Sequence, residues 1–324
     1  MGRTVLGCQV STAIWQQWRR QLVAPAAPFF LAAEAAGELP SRILRFTRDE
    51  FHAMGFPPAL RDSYTLWAIA PAATTVALLA PAEFRALAPA TQTLLLASQW
   101  QLGRGQIYDA AALRDAIGAA AWRDLPPEAH ILTPDGPKVA LDHAIWHALT
   151  PAVQWRWLRW WISCDRPACL APTLPAPQRA ALSHAHPPIF DTLVSSFAAT
   201  SGANCFATTL AAATPDHAAA QTIADLWLWP GPFLRGLADR GYQADPTIDD
   251  PAAAPPGAAV VWVDATETPQ HSCYVAGAGL VLNKDSQTWY TPRQLVPLDT
   301  VCADWADEAY QRRIYLPPQT GPRR

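Results

Sequence analysis

Cys205, His271 and Asn283 are residue types that together can run nucleophilic thiol chemistry. A thiol attacks a carbonyl once a base takes its proton, and a neutral imidazole is such a base near neutral pH. An amide oxygen can hold the second ring N–H and fix the tautomer without adding charge. Cys205 follows Thr200-Ser201-Gly202-Ala203-Asn204, and Phe206 to Ala213 after it contains no helix breaker. Ser, Gly and Asn suit a loop entering a helix. Cys205 is therefore expected at a helix N-terminus. There the dipole and the outward N–H groups favour thiolate and depress the thiol pKa.

The elements that must position the other two are short strands. Gly257 opens Ala258 to Val263, an apolar run after a proline-rich turn. Asp264 to Gln270 is a polar connection, His271 to Val275 a second strand and Leu280 to Asn283 a third. The spacing suggests a hairpin with His271 opposite Asn283, Val275 opposite Gly279, and a three-residue loop Ala276-Gly277-Ala278. In that register His271 and Asn283 are cross-strand neighbours on one face, and a slip of one residue would separate them. Asp285, two residues past Asn283 on the same face, is an alternative orienter for the imidazole.

The order of these elements resembles the NlpC/P60 superfamily of papain-like cysteine peptidases and amidases. The residues that carry the likeness are Asn204-Cys205 at a helix start and a second helix, Phe233 to Arg240, ending in Gly241-Tyr242. After them come the strand Pro256-Gly257-Ala258-Ala259-Val260-Val261-Trp262, the strand His271-Ser272-Cys273-Tyr274-Val275 with Gly277, and Asn283. The likeness covers roughly residues 187–316. Where the family commonly has Asp-Cys-Ser-Gly, this chain has Asn204-Cys205-Phe206-Ala207, and Ala258 stands where an aspartate usually follows Pro-Gly. The tyrosine often found upstream of the family's cysteine has no counterpart, Phe190 and Phe197 being the aromatics there. The related CHAP amidases share the Cys-then-His order.

The resemblance implies an α+β fold for residues 176–324. In it a helix bearing the cysteine packs on an antiparallel sheet; residues 1–175, which the likeness does not reach, read from their own patterns as a mixed α/β or helix-rich accessory domain. The resemblance implies hydrolysis of a peptide or other amide through a thioester acyl-enzyme, with no cofactor and no metal. The backbone N–H of Cys205 is the expected oxyanion donor. Asn204, Ser201 and Ser272 are candidates for further oxyanion or substrate contacts. Two alternatives use the same residues: an acyltransferase or transpeptidase, and a binding protein that keeps the fold without catalysis.

The first half offers structure more than chemistry. Ile43 to Thr47, Leu66 to Ala70, Thr75 to Leu79 and His130 to Thr133 read as strands. Ala82 to Leu96 reads as a helix broken near Pro89, and Ala110 to Ala121 as one capped by Asp109. A long helical pattern from Leu141 to Ser163, bent near Thr150-Pro151, sets Val153, Trp157 and Trp161 on one face and reads as an amphipathic core helix. Four prolines between Pro167 and Pro177 mark a linker.

With 24 basic against 27 acidic side chains there is no basic footprint for nucleic acid. No apolar run reaches the roughly 18–20 residues of a membrane span, and no export signal opens the chain, so a cytoplasmic protein that binds no membrane is expected. The six cysteines are expected as free thiols. Lys284 and Arg293 read as solvated surface.

Overall fold

A computed structural model describes residues 3–66, 69–164, 166–187 and 189–318. It is an α+β protein whose sheets pair antiparallel throughout. The chain divides into two compact units, Gln16–Cys164 and Met1–Trp15 with Asp165–Arg324. The expected boundary between residues 175 and 176 differs in two ways. The division falls earlier, and the N-terminal residues belong with the second unit. The reason is hydrogen bonding: Cys169 N–H donates to Leu6 O at 2.8 Å and Gln9 N–H to Ser195 O at 3.1 Å.

Gln16–Cys164 holds two three-stranded sheets. One orders Ala27–Leu31, Thr75–Leu79 and Arg45–Thr47; the other orders Ile107–Asp109, Gly136–Ala140 and His130–Thr133. The expected strand from Leu66 to Ala70 includes residues 67 and 68, outside the described residues, and Leu66, Ile69 and Ala70 lie in irregular chain. Prolines and glycines cut the helices where their backbone chemistry requires. Pro89 does not kink a helix but starts one, Pro89–Gln101, where its missing N–H has no helical partner to lose. Gly118, at φ +84°, separates Ala110–Ile117 from Ala119–Arg123. Thr150 caps Pro151–Ser163, which turns Val153, Trp157, Leu158 and Ile162 into the core.

The second unit is built on a seven-stranded sheet. Its order is Gln243–Asp245, Gln311–Leu316, Ala259–Val263, Pro269–Gly277, Leu280–Asn283, Pro292–Pro297 and Ser196–Phe197. Ala259–Val263 and Leu280–Asn283 are buried along their whole length, which explains their unbroken apolar sequence. The helix Cys205–Ala212 is also buried at every residue. Helix Pro230–Asp239 crosses it closely: a Cβ on Gly236 would lie 2.6 Å from Leu210 Cδ2, so a larger residue there would displace the Leu210 side chain. Phe206 and Phe233 stack between the two helices at 4.7 Å. Gly241, at φ +79°, ends the second helix, and the following Tyr242 hydroxyl donates to Gly257 O at 2.8 Å.

The central hairpin departs from its expected register. Tyr274 pairs with Leu282 and Val275 with Val281, then the register shifts so that Gly277 pairs with Leu280. The loop is two residues, Ala278-Gly279, with φ +53° and +73°. Both central residues at positive φ is the requirement of a type I′ turn. Ala276 is the extra residue of a bulge. Carried one residue further, the observed pairing sets Asn283 opposite Cys273, two residues from the expected partner His271. The bulge preserves the shared face. Without it, the pairing at Gly277 would set Asn283 opposite Tyr274 and put His271 on the other side of the sheet.

Candidate active site

Asn204 is the N-cap of the nucleophile helix. Its Oδ1 accepts from Ala207 N–H at 3.1 Å and its Nδ2 donates to Leu228 O at 2.6 Å. Both ends of the amide are engaged in structure, which leaves one Nδ2 hydrogen for any further contact. Cys205 opens the helix as expected, 7% exposed. The backbone N–H groups of Ser272, Phe206 and Cys205 itself favour the thiolate electrostatically.

Ser272 follows His271 on its strand and faces the helix that Cys205 opens. The Ser272 hydroxyl donates to Thr209 Oγ1 at 2.9 Å, one helical turn beyond Cys205. That bond joins the histidine strand to the nucleophile helix and occupies the hydroxyl, so Ser272 is a structural bridge and not a side-chain oxyanion donor. Thr209 is fully buried, next to Thr208, whose hydroxyl donates to Asn204 O. A hydroxyl repeating one turn after Cys205 is the sequence signal that could have found it.

His271 lies opposite Trp262 in the neighbouring strand and is buried. Its Nε2 meets Asn283 Oδ1 at 2.9 Å, so Nε2 carries the proton and Nδ1 is the basic nitrogen. Trp305 lies flat on the imidazole, centroids 4.7 Å apart and planes 9° apart, and Trp262 leans on it at 5.5 Å. Nothing in the local sequence flagged Trp305, which reaches the ring from just beyond helix Leu298–Asp304. Asp285 is exposed, and its negative charge favours the protonated ring. Asn283 makes the direct contact.

Burial decides the electrostatics. Loss of solvent pushes the Cys205 thiol up to about 11, against the pull of the three N–H groups and of the Lys284 charge. Burial likewise pushes His271 down to about 4, with Asn283 and Asp285 opposing. The depressed thiol pKa expected from the helix start is thus reversed: desolvation outweighs the helix terminus. At neutral pH the resting pair is neutral thiol and neutral imidazole, not an ion pair.

Two further expectations are corrected. Lys284 and Arg293 are both 1% exposed. Lys284 Nζ donates to Ser286 O at 2.6 Å and Thr288 O at 3.0 Å, so loop carbonyls enclose the ammonium. Arg293 donates to Ala224 O at 2.5 Å and to Asp225 Oδ1 at 2.8 Å. Among the three candidates for polar contacts, Ser201 is left uncommitted: its Oγ is buried without a hydrogen-bond partner.

No family model, curated protein or solved structure matches this chain. Among the described residues, no helix is long and apolar enough to cross a membrane.

Proposed function

We propose that residues 165–324 form a papain-like cysteine hydrolase of amide bonds, of the NlpC/P60 type, with Cys205 as nucleophile, His271 as base and Asn283 as orienter. The observation that carries this reading is the 2.9 Å contact of His271 Nε2 with Asn283 Oδ1, on a strand that Ser272 ties to the helix opened by Cys205 through its 2.9 Å bond to Thr209 Oγ1. An amide held on Nε2 directs Nδ1 as the proton acceptor. As the sulfur attacks the carbonyl of a peptide or other amide, its proton passes to Nδ1. The tetrahedral oxyanion takes the backbone N–H of Cys205, with the Ser201 hydroxyl as the second donor. His271 then protonates the leaving amine, a thioester forms, and water activated by His271 releases the acid. The neutral resting pair makes proton transfer part of the attack, and the charges that arise are shielded by Trp305 and Trp262.

The burial of Cys205 favours a second reading, a binding protein that keeps the fold without turnover. One experiment separates them. A peptidyl vinyl sulfone is applied at neutral pH and modification is mapped cysteine by cysteine. The hydrolase reading expects Cys205 to be modified faster than the exposed Cys164, and Cys205→Ala to remove that adduct. Modification of Cys205 no faster than Cys164 favours the binding protein. An acyltransferase would give the same adduct; product analysis with and without an added amine tells it from a hydrolase.

A further inference from the structure

The chain from Leu226 to Pro232 reads Leu-Trp-Leu-Trp-Pro-Gly-Pro and links helix His217–Ala224 to helix Pro230–Asp239. Trp227 and Trp229 are 36% and 64% exposed, and Leu226 is 44% exposed. The two indoles stack, centroids 5.6 Å apart and planes 13° apart. Large apolar side chains exposed together are unusual and mark contact sites. Two features fix this ladder to the nucleophile. Asn204, the residue before Cys205, donates to Leu228 O at 2.6 Å. Gly202, at φ +109°, lies against Trp227: a Cβ there would sit 3.4 Å from Trp227 Cβ. Between the indoles Leu228 turns inward and packs with the cluster that contains Cys205, Phe206 and Phe233.

We infer that Trp227 and Trp229 form a substrate subsite for an aromatic or bulky apolar group next to the bond that Cys205 attacks. The inference rests on the hydrolase reading above and names a substrate class for it. The occupant is apolar because the loop is. Sites that hold a polar ligand on an aromatic face add polar side chains that fix its orientation, and residues 226–232 carry none. A parallel pair of indoles offers a flat face to another ring. The bond from the Asn204 side-chain Nδ2 to Leu228 O ties that loop to the residue before the nucleophile.

The test uses the full chain and two probes, a phenylalanyl vinyl sulfone and its glycyl counterpart, and reads the ratio of their rates at Cys205. The expected ratio favours the phenylalanyl probe by about tenfold. Trp229→Ala should bring it to within about twofold of unity, and Trp229→Phe should restore most of it. Because Trp229 is mostly exposed, Trp229→Ala is compatible with folding, which circular dichroism checks. Equal rates for both probes in the wild-type chain, or a ratio indifferent to Trp229→Ala, overturn the subsite while the hydrolase reading stands. Failure of both probes to modify Cys205 overturns the two together. Wild-type sedimentation with phosphatidylcholine vesicles that Trp229→Ala abolishes, with the probe ratio unchanged by that substitution, reassigns the ladder to a lipid surface and overturns the subsite.

Discussion

Both units bury titratable groups, Asp62 and Lys138 in Gln16–Cys164 among them, but the first also uses buried amides as clamps. In Gln16–Cys164 the buried amides clamp backbone. Gln99 accepts from Phe30 N–H at 2.9 Å and donates to Phe30 O at 2.6 Å, and Gln154 Nε2 donates to Trp146 O at 2.7 Å. In the other unit the buried polar groups include Cys205, His271, Lys284 and Arg293, all titratable. A buried amide is the same at every pH, whereas a buried titratable group has its pKa displaced by desolvation. Cavity and chemistry are also separated. A cavity of about 340 Å³ lies in the first unit, lined by Phe29, Leu79, Phe84, Leu96 and Ile131. Its volume suits a small ligand, yet none of the proposed reacting groups lines it. The cavity and the proposed reacting groups thus lie in different units.

The contrast breaks most sharply under paired substitutions. His271→Ala should slow modification of Cys205 by a vinyl sulfone by roughly 100-fold or more, because the thiol loses its base. Gln99→Leu should leave that rate alone and lower stability by about 3 kcal/mol in urea unfolding, since Phe30 N–H and C=O both lose their buried partner. If Gln99→Leu slows the modification as much as His271→Ala does, the division of labour between the units is wrong.

The next effect is on acid stability. His271 is held at about 4 in the folded chain against 6.5 for the free side chain. Between those values the unfolded chain binds a proton that the folded chain refuses. Stability from this residue is therefore complete above pH 6.5 and is lost as pH falls towards 4, by about 3 kcal/mol. His271→Gln keeps a buried polar group that does not titrate, so its unfolding free energy should lose less over the same window. Equal acid sensitivity in the two proteins would show that His271 is not the group responsible. The buried glutamines of the first unit contribute nothing to this slope.

Much of this arrangement was legible in the sequence, and what was missed has common physical causes. Leu280–Asn283 and His130–Thr133 run over the residues their apolar patterns mark. Asp109 caps its helix, as a short polar side chain before an apolar run suggests, whereas the bent helix expected from Leu141 to Ser163 is two helices, His143–Ala148 and Pro151–Ser163, the second capped by Thr150. Cys205 opens its helix because Asn204 precedes it. Whether Lys284 or Arg293 is buried depends on carbonyls that the folded chain brings around it, and side-chain type carries no trace of those. The thiol pKa was misjudged for the same reason: the helix start is local and visible, while the burial that outweighs it comes from the whole sheet. Trp305 reaches His271 from more than thirty residues away in sequence.

The hairpin register is the most instructive miss, and it supports the smallest prediction. A two-residue type I′ turn is signalled by Asn-Gly or Asp-Gly, and this chain has Ala278-Gly279. Alanine held at φ +53° gives no such signal and is strained there. Ala278→Asn supplies the residue that tolerates this conformation at an exposed position, so it should stabilise the protein by about 0.5 kcal/mol. The modification rate of Cys205 should not move, because the bulge at Ala276, not the turn residue, sets His271 and Asn283 on one face. The same substitution would have the opposite result if the loop were Ala276-Gly277-Ala278. Ala278 would then flank the strand, and asparagine would weaken it. A lowered unfolding midpoint together with slower modification of Cys205 would therefore argue for the three-residue loop. A raised midpoint at constant rate argues that the bulge holds the base and its orienter together.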